Sequence, residues 1–162
     1  MWGEIAKGAV EGLVRGILSG KGGKSSRQVE AHSFVLRDDQ NRGRAVLAML
    51  GDGPGLTLLD SDEQIKAVLA LDNQGAHLQF WGEDNTTNVL VRLEGNEPEL
   101  VFFDANNEPR ASLRLYPNGP CFRLWDGKDK CRVMMQVDAE DGPSVAVFDE
   151  HEEPVQQLRG QE

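Results

Sequence analysis

The sequence predicts an all-β protein of about twelve short strands that follow one N-terminal amphipathic α-helix. A unit of about 22 residues recurs six times along the chain, and each unit contains two runs in which apolar and polar residues alternate. Alternation with a period of two is typical of strands. Asp-Gly and Asn-Gly pairs stand between several units, and these pairs are typical of two-residue hairpin turns. We therefore expect two strands in each unit.

The repeat has a defined motif, in which apolar-x-apolar-x-Asp is followed after six residues by Lys or Arg and a run rich in Leu and Val. The first copy starts at Phe34–Asp38 and continues at Arg44, and the second starts at Leu56–Asp60 and continues at Lys66. Copies begin every 22 residues, with one spacing of 23 before the last, at Ser33, Gly55, His77, Glu99, Cys121 and Ser144. The expected repeats are residues 32–54, 55–76, 77–98, 99–120, 121–143 and 144–162.

Alternation gives the predicted sheet one apolar face, on which Gln156 is the clear exception. A sheet with such a face must cover it. We therefore expect an antiparallel hairpin meander that closes into a barrel or folds into two layers, with docking on the helix or on a second chain as the other ways to cover the face. Parity places the turns at residues 52–53, 74–75, 96–97 and 118–119, and a three-residue loop at 140–142.

A β-solenoid, with one repeat in each coil, is the alternative architecture. Pro54, Pro98, Pro120 and Pro143 fall at the last position of the expected turns, where a tight hairpin uses a backbone N–H that proline lacks. A solenoid avoids that conflict. It also brings equivalent residues of successive repeats about 4.8 Å apart, whereas a meander leaves another strand between them.

Residues 1–19 are predicted to form the amphipathic helix, and residues 20–31 a Gly/Ser/Lys linker. Glycine at every fourth position weakens an isolated helix, so we expect the helix to pack closely against another surface. That surface is its own sheet, other copies of the chain or a membrane, and removal of residues 1–26 is expected to change the oligomeric state. The expected interaction residues of the helix are Trp2, Ile5, Gly8, Ala9, Gly12, Leu13, Gly16 and Ile17.

Charge and composition exclude several classes of protein. The net charge is −10, distributed as +2 over residues 1–30 and −12 over the remainder, which argues against a nucleic-acid surface. Two cysteines do not make a disulfide framework, and neither a signal peptide nor a membrane-spanning stretch is recognisable. We expect a cytoplasmic protein, with the membrane periphery as an alternative location.

No residue set predicts a catalytic centre, and no cofactor, metal or small-molecule substrate is expected. Gly23-Lys24-Ser25 ends like a phosphate-binding loop but lacks the first glycine and the preceding strand. The acidic clusters at 60–63 and 104–107 match turns better than calcium loops. His32, His77 and His151 are not spaced as metal ligands.

Aromatic residues recur at equivalent positions of the repeats and could form a partner-binding strip on the mixed face. The residues of this strip are Trp81, Phe103, Trp125 and Phe148. In the expected register, Phe103 faces Arg110 and Trp125 faces Arg132 as cross-strand aromatic–cation pairs. The unit length and the recurring order of Asp, turn and Arg resemble those of YD-type and MORN-type hairpin repeats. The Tyr-Asp and Tyr-x-Gly signatures of those families are missing, so the resemblance assigns no functional residue.

These observations favour a non-enzymatic structural or assembly protein, in which an acidic β-repeat body self-associates into a homo-oligomer through the glycine-rich helix. A peripheral membrane or lipid-binding module anchored by the same helix is the first alternative. An acidic inhibitor or immunity-type binding protein is the second.

Overall fold

A computed structural model of the chain describes residues 30–86 and 88–160. The predicted helix, its interaction residues and most of the linker lie outside the described residues. The described residues from His32 onward form one compact unit. It contains twelve strands: β1 Ser33–Arg37, β2 Gly43–Leu50, β3 Gly53–Leu59, β4 Ile65–Leu71, β5 Gly75–Trp81, β6 Asn88–Glu94, β7 Glu97–Phe103, β8 Pro109–Tyr116, β9 Gly119–Trp125, β10 Cys131–Asp138, β11 Gly142–Phe148 and β12 Pro154–Arg159.

The strands form one antiparallel sheet in sequence order, β1 to β12. Every strand pairs with its neighbours in the chain, so the meander prediction is confirmed and the solenoid alternative is wrong. The predicted closure into a barrel or two layers is also wrong, because β1 and β12 are the two free edges of an open sheet.

The pairing registers explain why the sheet stays open. A single cross-strand row runs straight from Leu36 on β1 through Ala45, Leu58 and Ala67 to Gln156 on β12. Closing a sheet into a barrel requires the register to stagger steadily from strand to strand. Because these rows have no net stagger, the strands lack the tilt that closure into a barrel requires.

The two-residue turns lie one residue earlier than the sequence predicted. The closing pairs Leu50↔Gly53, Glu94↔Glu97 and Tyr116↔Gly119 leave residues 51–52, 95–96 and 117–118 as the central residues. Asn73 and Gln74 form the corresponding turn between β4 and β5. This error left the side chains on their predicted faces of the sheet. Moving a turn by one residue shifts each cross-strand partner by two positions, and residues two positions apart on a strand lie on the same face. The predicted three-residue loop before β11 has also moved by one, to residues 139–141, and Gly142 has a left-handed φ of 73°.

The shifted turns remove the conflict with proline. Pro54, Pro98 and Pro120 pair with Met49, Leu93 and Leu115, one step beyond the closing pair of each turn. Residues of an antiparallel pair alternate between hydrogen-bonded and non-hydrogen-bonded positions, and the pair that closes a two-residue turn is hydrogen-bonded. The prolines therefore occupy positions at which the missing N–H costs no hydrogen bond to the preceding strand.

The opposite ends of the strands are joined by six longer loops, which we call the Asp loops. Five of them contain five residues, and the register of their hairpins shifts at a β-bulge. A bulge places two residues opposite one, which restores the alternation of faces after a loop of odd length. The hairpin at residues 82–87 has six loop residues and no bulge. The Asp loops are residues 38–42, 60–64, 82–87, 104–108, 126–130 and 149–153.

Candidate interaction faces of the sheet

The sheet presents two faces and two ends. We call the face that contains Leu58, Leu69 and Leu113 the apolar face, and the face that contains Thr57, Ser112 and Arg114 the polar face. The described residues contain no group of three His, Cys, Asp or Glu side chains that could hold a metal ion.

Each Asp loop is organised by its first residue, except the third, which begins with Gly82. The Asp60 Oδ1 atom accepts hydrogen bonds from the backbone N–H groups of Asp62 (2.9 Å) and Gln64 (3.0 Å). Such a side chain replaces a backbone acceptor and stabilises a turn. The same two hydrogen bonds recur at the other four loops, to Asp38, Asp104, Asp126 and Asp149.

The fourth residue of every Asp loop has a left-handed backbone, with φ between 58° and 64°. Asn and Asp tolerate this conformation better than most residues, and they fill four of the six positions. The left-handed conformation of these residues was not predicted, although the recurrent Asn or Asp was a usable signal. They are Asn41, Glu63, Asn85, Asn107, Asp129 and Glu152.

These hydrogen bonds lower the pKa values of the loop carboxyl groups. The Gln64 N–H holds the pKa of Asp60 below its ordinary value of 3.8. The N–H groups of Lys128 and Glu153 do the same to the pKa values of Asp126 and Asp149. Desolvation raises the pKa of Asp104, but its hydrogen bonds outweigh that effect, and this pKa is lowered as well.

Neighbouring Asp loops are linked into a ladder along one end of the sheet. The Arg42 side chain donates to the Ser61 carbonyl oxygen in the next loop (3.0 Å), and Lys66 Nζ donates to Asn85 Oδ1 (2.6 Å). Arg110 donates to Asp129 Oδ1 (3.0 Å), and Lys130 Nζ to Glu152 Oε2 (3.1 Å). The polar groups at this end therefore satisfy one another from loop to loop.

The predicted aromatic–cation pairs are not formed. The bulge places Phe103 opposite Pro109 and Trp125 opposite Cys131. The basic residues that follow, Arg110 and Arg132, therefore have no cross-strand partner in the sheet. Arg110 instead binds Asp104, and Arg132 binds Asp126, each at 2.6 Å. The cation–π contacts of the described residues lie elsewhere, with Arg114 and Arg123 both over the Tyr116 ring.

The predicted aromatic strip does lie on one face. Its four residues are the last residues of β5, β7, β9 and β11, half-buried on the polar face beside the Asp loops. Alternate strands separate neighbouring members by about 9.6 Å. Asn88 pairs with both Trp81 and Phe103, and its Nδ2 atom donates to Asn107 Oδ1 (3.1 Å). Partner binding by the strip remains a prediction.

A cluster of ion pairs covers the centre of the polar face. Glu99, whose side chain is 11% exposed, lies 2.7 Å from Arg92 and 3.7 Å from Arg114. Arg114 also binds Glu97 at 2.6 Å. Ser112 and Cys121, at neighbouring positions of the same face, are buried. The charged side chains at the centre of the polar face are thus paired with each other.

Both cysteines are free thiols on the polar face or at its edge. Cys121 is buried, and burial raises the pKa of the Cys131 thiol above its ordinary value of 9.0. A raised thiol pKa leaves little thiolate at neutral pH. Neither residue has the surroundings of a nucleophile.

The apolar face is exposed over its whole width. Nearly all exposed large hydrophobic side chains of the described residues belong to it, from Phe34 and Leu36 on β1 to Leu158 on β12. Over β8–β12 it forms a shallow groove of about 520 Å³, lined by Leu113, Phe122, Met135, Val137, Val145 and Leu158. A single soluble chain rarely exposes a contiguous apolar patch larger than about 300–600 Å².

The apolar face is also regularly corrugated. In the row nearest the Asp loops, Leu58, Phe80 and Phe102 on odd strands are 44–46% exposed, whereas Ala67 between them is 7% exposed. In the central row the pattern is inverted, and Leu69 and Leu113 on even strands are 53% and 49% exposed. Leu56, Leu78 and Leu100 on the odd strands of that row are half-buried. Protruding and recessed positions therefore alternate with a period of two strands.

No known protein family matches the chain, and no curated protein is significantly similar to it. Among the described residues, no helix is long and apolar enough to cross a membrane.

Proposed function

We propose that this chain is a non-enzymatic structural protein whose β-repeat sheet is an assembly unit, and that burial of the apolar face drives its self-association. The observation on which the proposal depends is the exposure of that face across all twelve strands. Hydrophobic burial is the main favourable term in most protein association. A face without charged groups offers a charged partner no complementary site.

The polar face supports the same proposal. Its arginine and glutamate side chains bind each other, and the Asp-loop polar groups are used in turns and in the ladder. Groups that are engaged in this way are not arranged around a substrate. The recurrence of one unit suits a rigid, extended architecture better than a single concentrated site.

Sedimentation equilibrium of the full chain, with and without Leu113→Arg, tests this function. Leu113 is half exposed on the apolar face, so a charge there can reach water in the monomer but not in a buried interface. Covering an unpaired charge costs several kcal/mol. We therefore expect the wild type to associate and Leu113→Arg to associate at least about 100-fold more weakly.

Two variants serve as controls. Leu113→Met conserves volume and apolar character, and Gln157→Arg adds the same charge at an exposed position on the polar face of β12. Both should associate like the wild type. A wild type that is monomeric at every concentration would contradict the proposal, and a monomer that floats with phosphatidylcholine vesicles would favour the lipid-binding alternative.

A further inference from the structure

The size of the apolar face restricts what can cover it. Twelve strands spaced by about 4.8 Å span about 53 Å, and seven residues per strand extend about 20 Å, which gives a face of roughly 1,000 Å². A helix of the length predicted for residues 1–19 is about 28 Å long and 10 Å wide. Such a helix covers about a quarter of the face, so a larger surface is needed.

A second copy of the chain has a face of the required size. Two such faces in contact bury roughly 2,000 Å², which reaches the range of obligate homodimers. Two sheets that pack face to face lie about 10 Å apart, with side chains of the two inner faces interdigitated. The rows of the apolar face keep the same register from strand to strand, so that equivalent positions recur along the whole face.

The corrugation makes the apolar face complementary in shape to the apolar face of a second copy. Protruding side chains such as Phe80 and Phe102 are separated by recesses over Ala67, Val89 and Ala111. Because both rows repeat every second strand, protrusions and recesses share one spacing of about 9.6 Å. Alternation of large and small residues across facing positions lets two layers interlock. The surface with the matching spacing is a second apolar face of the same kind.

The β12 edge of the sheet is less suited than the apolar face to pairing between copies. In the ladder, basic side chains such as Arg42, Lys66 and Lys130 reach from one Asp loop to the next. At the last loop the equivalent positions hold Glu153 and Val155, and β12 begins with Pro154. Charge and proline on an edge strand oppose strand addition. The β12 edge therefore ends the ladder.

We infer that two copies of this chain stack their apolar faces on each other as a two-layer sandwich, with the protruding side chains of each copy seated in the recesses of the other. This inference rests on the proposed function, of which it names the partner and the surface. The contact is isologous, because the same patch serves on both copies.

Filling a recess tests the interlocking directly. Ala111→Phe adds apolar area to the apolar face but occupies the recess between Phe102 and Leu124 on the neighbouring strands. Interlocked faces lose their fit, so sedimentation equilibrium of the full chain should show at least about 10-fold weaker association. Ala105→Phe adds the same side chain on an exposed Asp loop, and it should associate like the wild type.

The outcomes separate this inference from the proposed function. A wild-type chain that does not associate contradicts both. A wild type that associates, together with an Ala111→Phe variant of unchanged or tighter association, overturns the stacked arrangement and leaves self-association standing. Far-UV circular dichroism of Ala111→Phe should match the wild type. If the spectra differ, Phe102→Ala is the variant to test instead, because it removes a protruding side chain without introducing a charge. Phe102→Ala should also weaken association about 10-fold.

Discussion

The two faces of this sheet are made from the same strands but differ in what covers them. On β11, Ala146 on the polar face is 2% exposed, whereas Val147 on the apolar face is 38% exposed. At the centre of the polar face, long charged side chains bind each other. The apolar face has no such cover within the described residues. The difference teaches that the more hydrophobic face is the one whose large side chains stay exposed in the described residues, and the proposed second layer would cover it.

The largest expected difference between the faces comes from placing one charge on either side of β11. Ala146→Lys puts a large cation at a buried position, and we expect the free energy of unfolding to fall by about 3 kcal/mol or more. Val147→Lys, the matched variant, can reach solvent and should leave a folded monomer that associates poorly. Urea denaturation at two protein concentrations measures both effects. Equal losses of stability would contradict the distinction between the faces.

A smaller effect is expected from the ion pairs that cover the polar face. Glu99→Gln keeps the shape of the side chain but removes the charge that Arg92 and Arg114 share. A hydrogen bond to a charged group contributes about 1.5–3 kcal/mol, so the free energy of unfolding should fall by about 1–2 kcal/mol. Association should not change, since the residue faces away from the apolar face. A weakened association would show that the ion pairs belong to the interface.

The smallest expected effect is the pH dependence of the Asp loops. Hydrogen bonds lower the pKa values of Asp60, Asp126 and Asp149 below the ordinary value of 3.8. Carboxyl groups with lowered pKa values stabilise the fold above their unfolded pKa, and this contribution is lost as the pH falls through the folded pKa. The thermal unfolding midpoint should therefore be flat near neutral pH and fall below about pH 4. Asp60→Asn should reduce this slope, and an unchanged slope would contradict the role of the loop carboxylate.

The strands and faces of this fold could be predicted from the sequence because they depend on local alternation and on the repeat. Leu58 and Ala67, for example, pair directly with each other on the apolar face. The predicted turn positions were wrong by one residue. A turn at residues 51–52 and a turn at residues 52–53 place the side chains on the same faces, so alternation cannot distinguish them. The aromatic–cation pairs were wrong because nothing in the motif signals a β-bulge at the Lys or Arg position.

Whether the sheet closes could not be predicted from the same pattern. Closure depends on the accumulated stagger between strands. The absence of a net stagger can be recognised only when the pairing registers of all eleven neighbouring strand pairs are known. The aromatic strip was placed on the correct face by alternation alone. The ladder beside it arises from contacts between residues about 20 positions apart, such as Gly43 with Glu63, which the repeat motif does not encode by itself.

Carbene footprinting of the full chain tests most directly whether copies of this chain cover the apolar face. The reagent labels exposed side chains, and Leu69, Phe102 and Leu113 should be labelled in dilute protein and protected at concentrations where association is complete. Gln157 on the polar face of β12 should be labelled equally in both samples. Apolar-face residues that remain fully labelled in the associated protein would contradict the account.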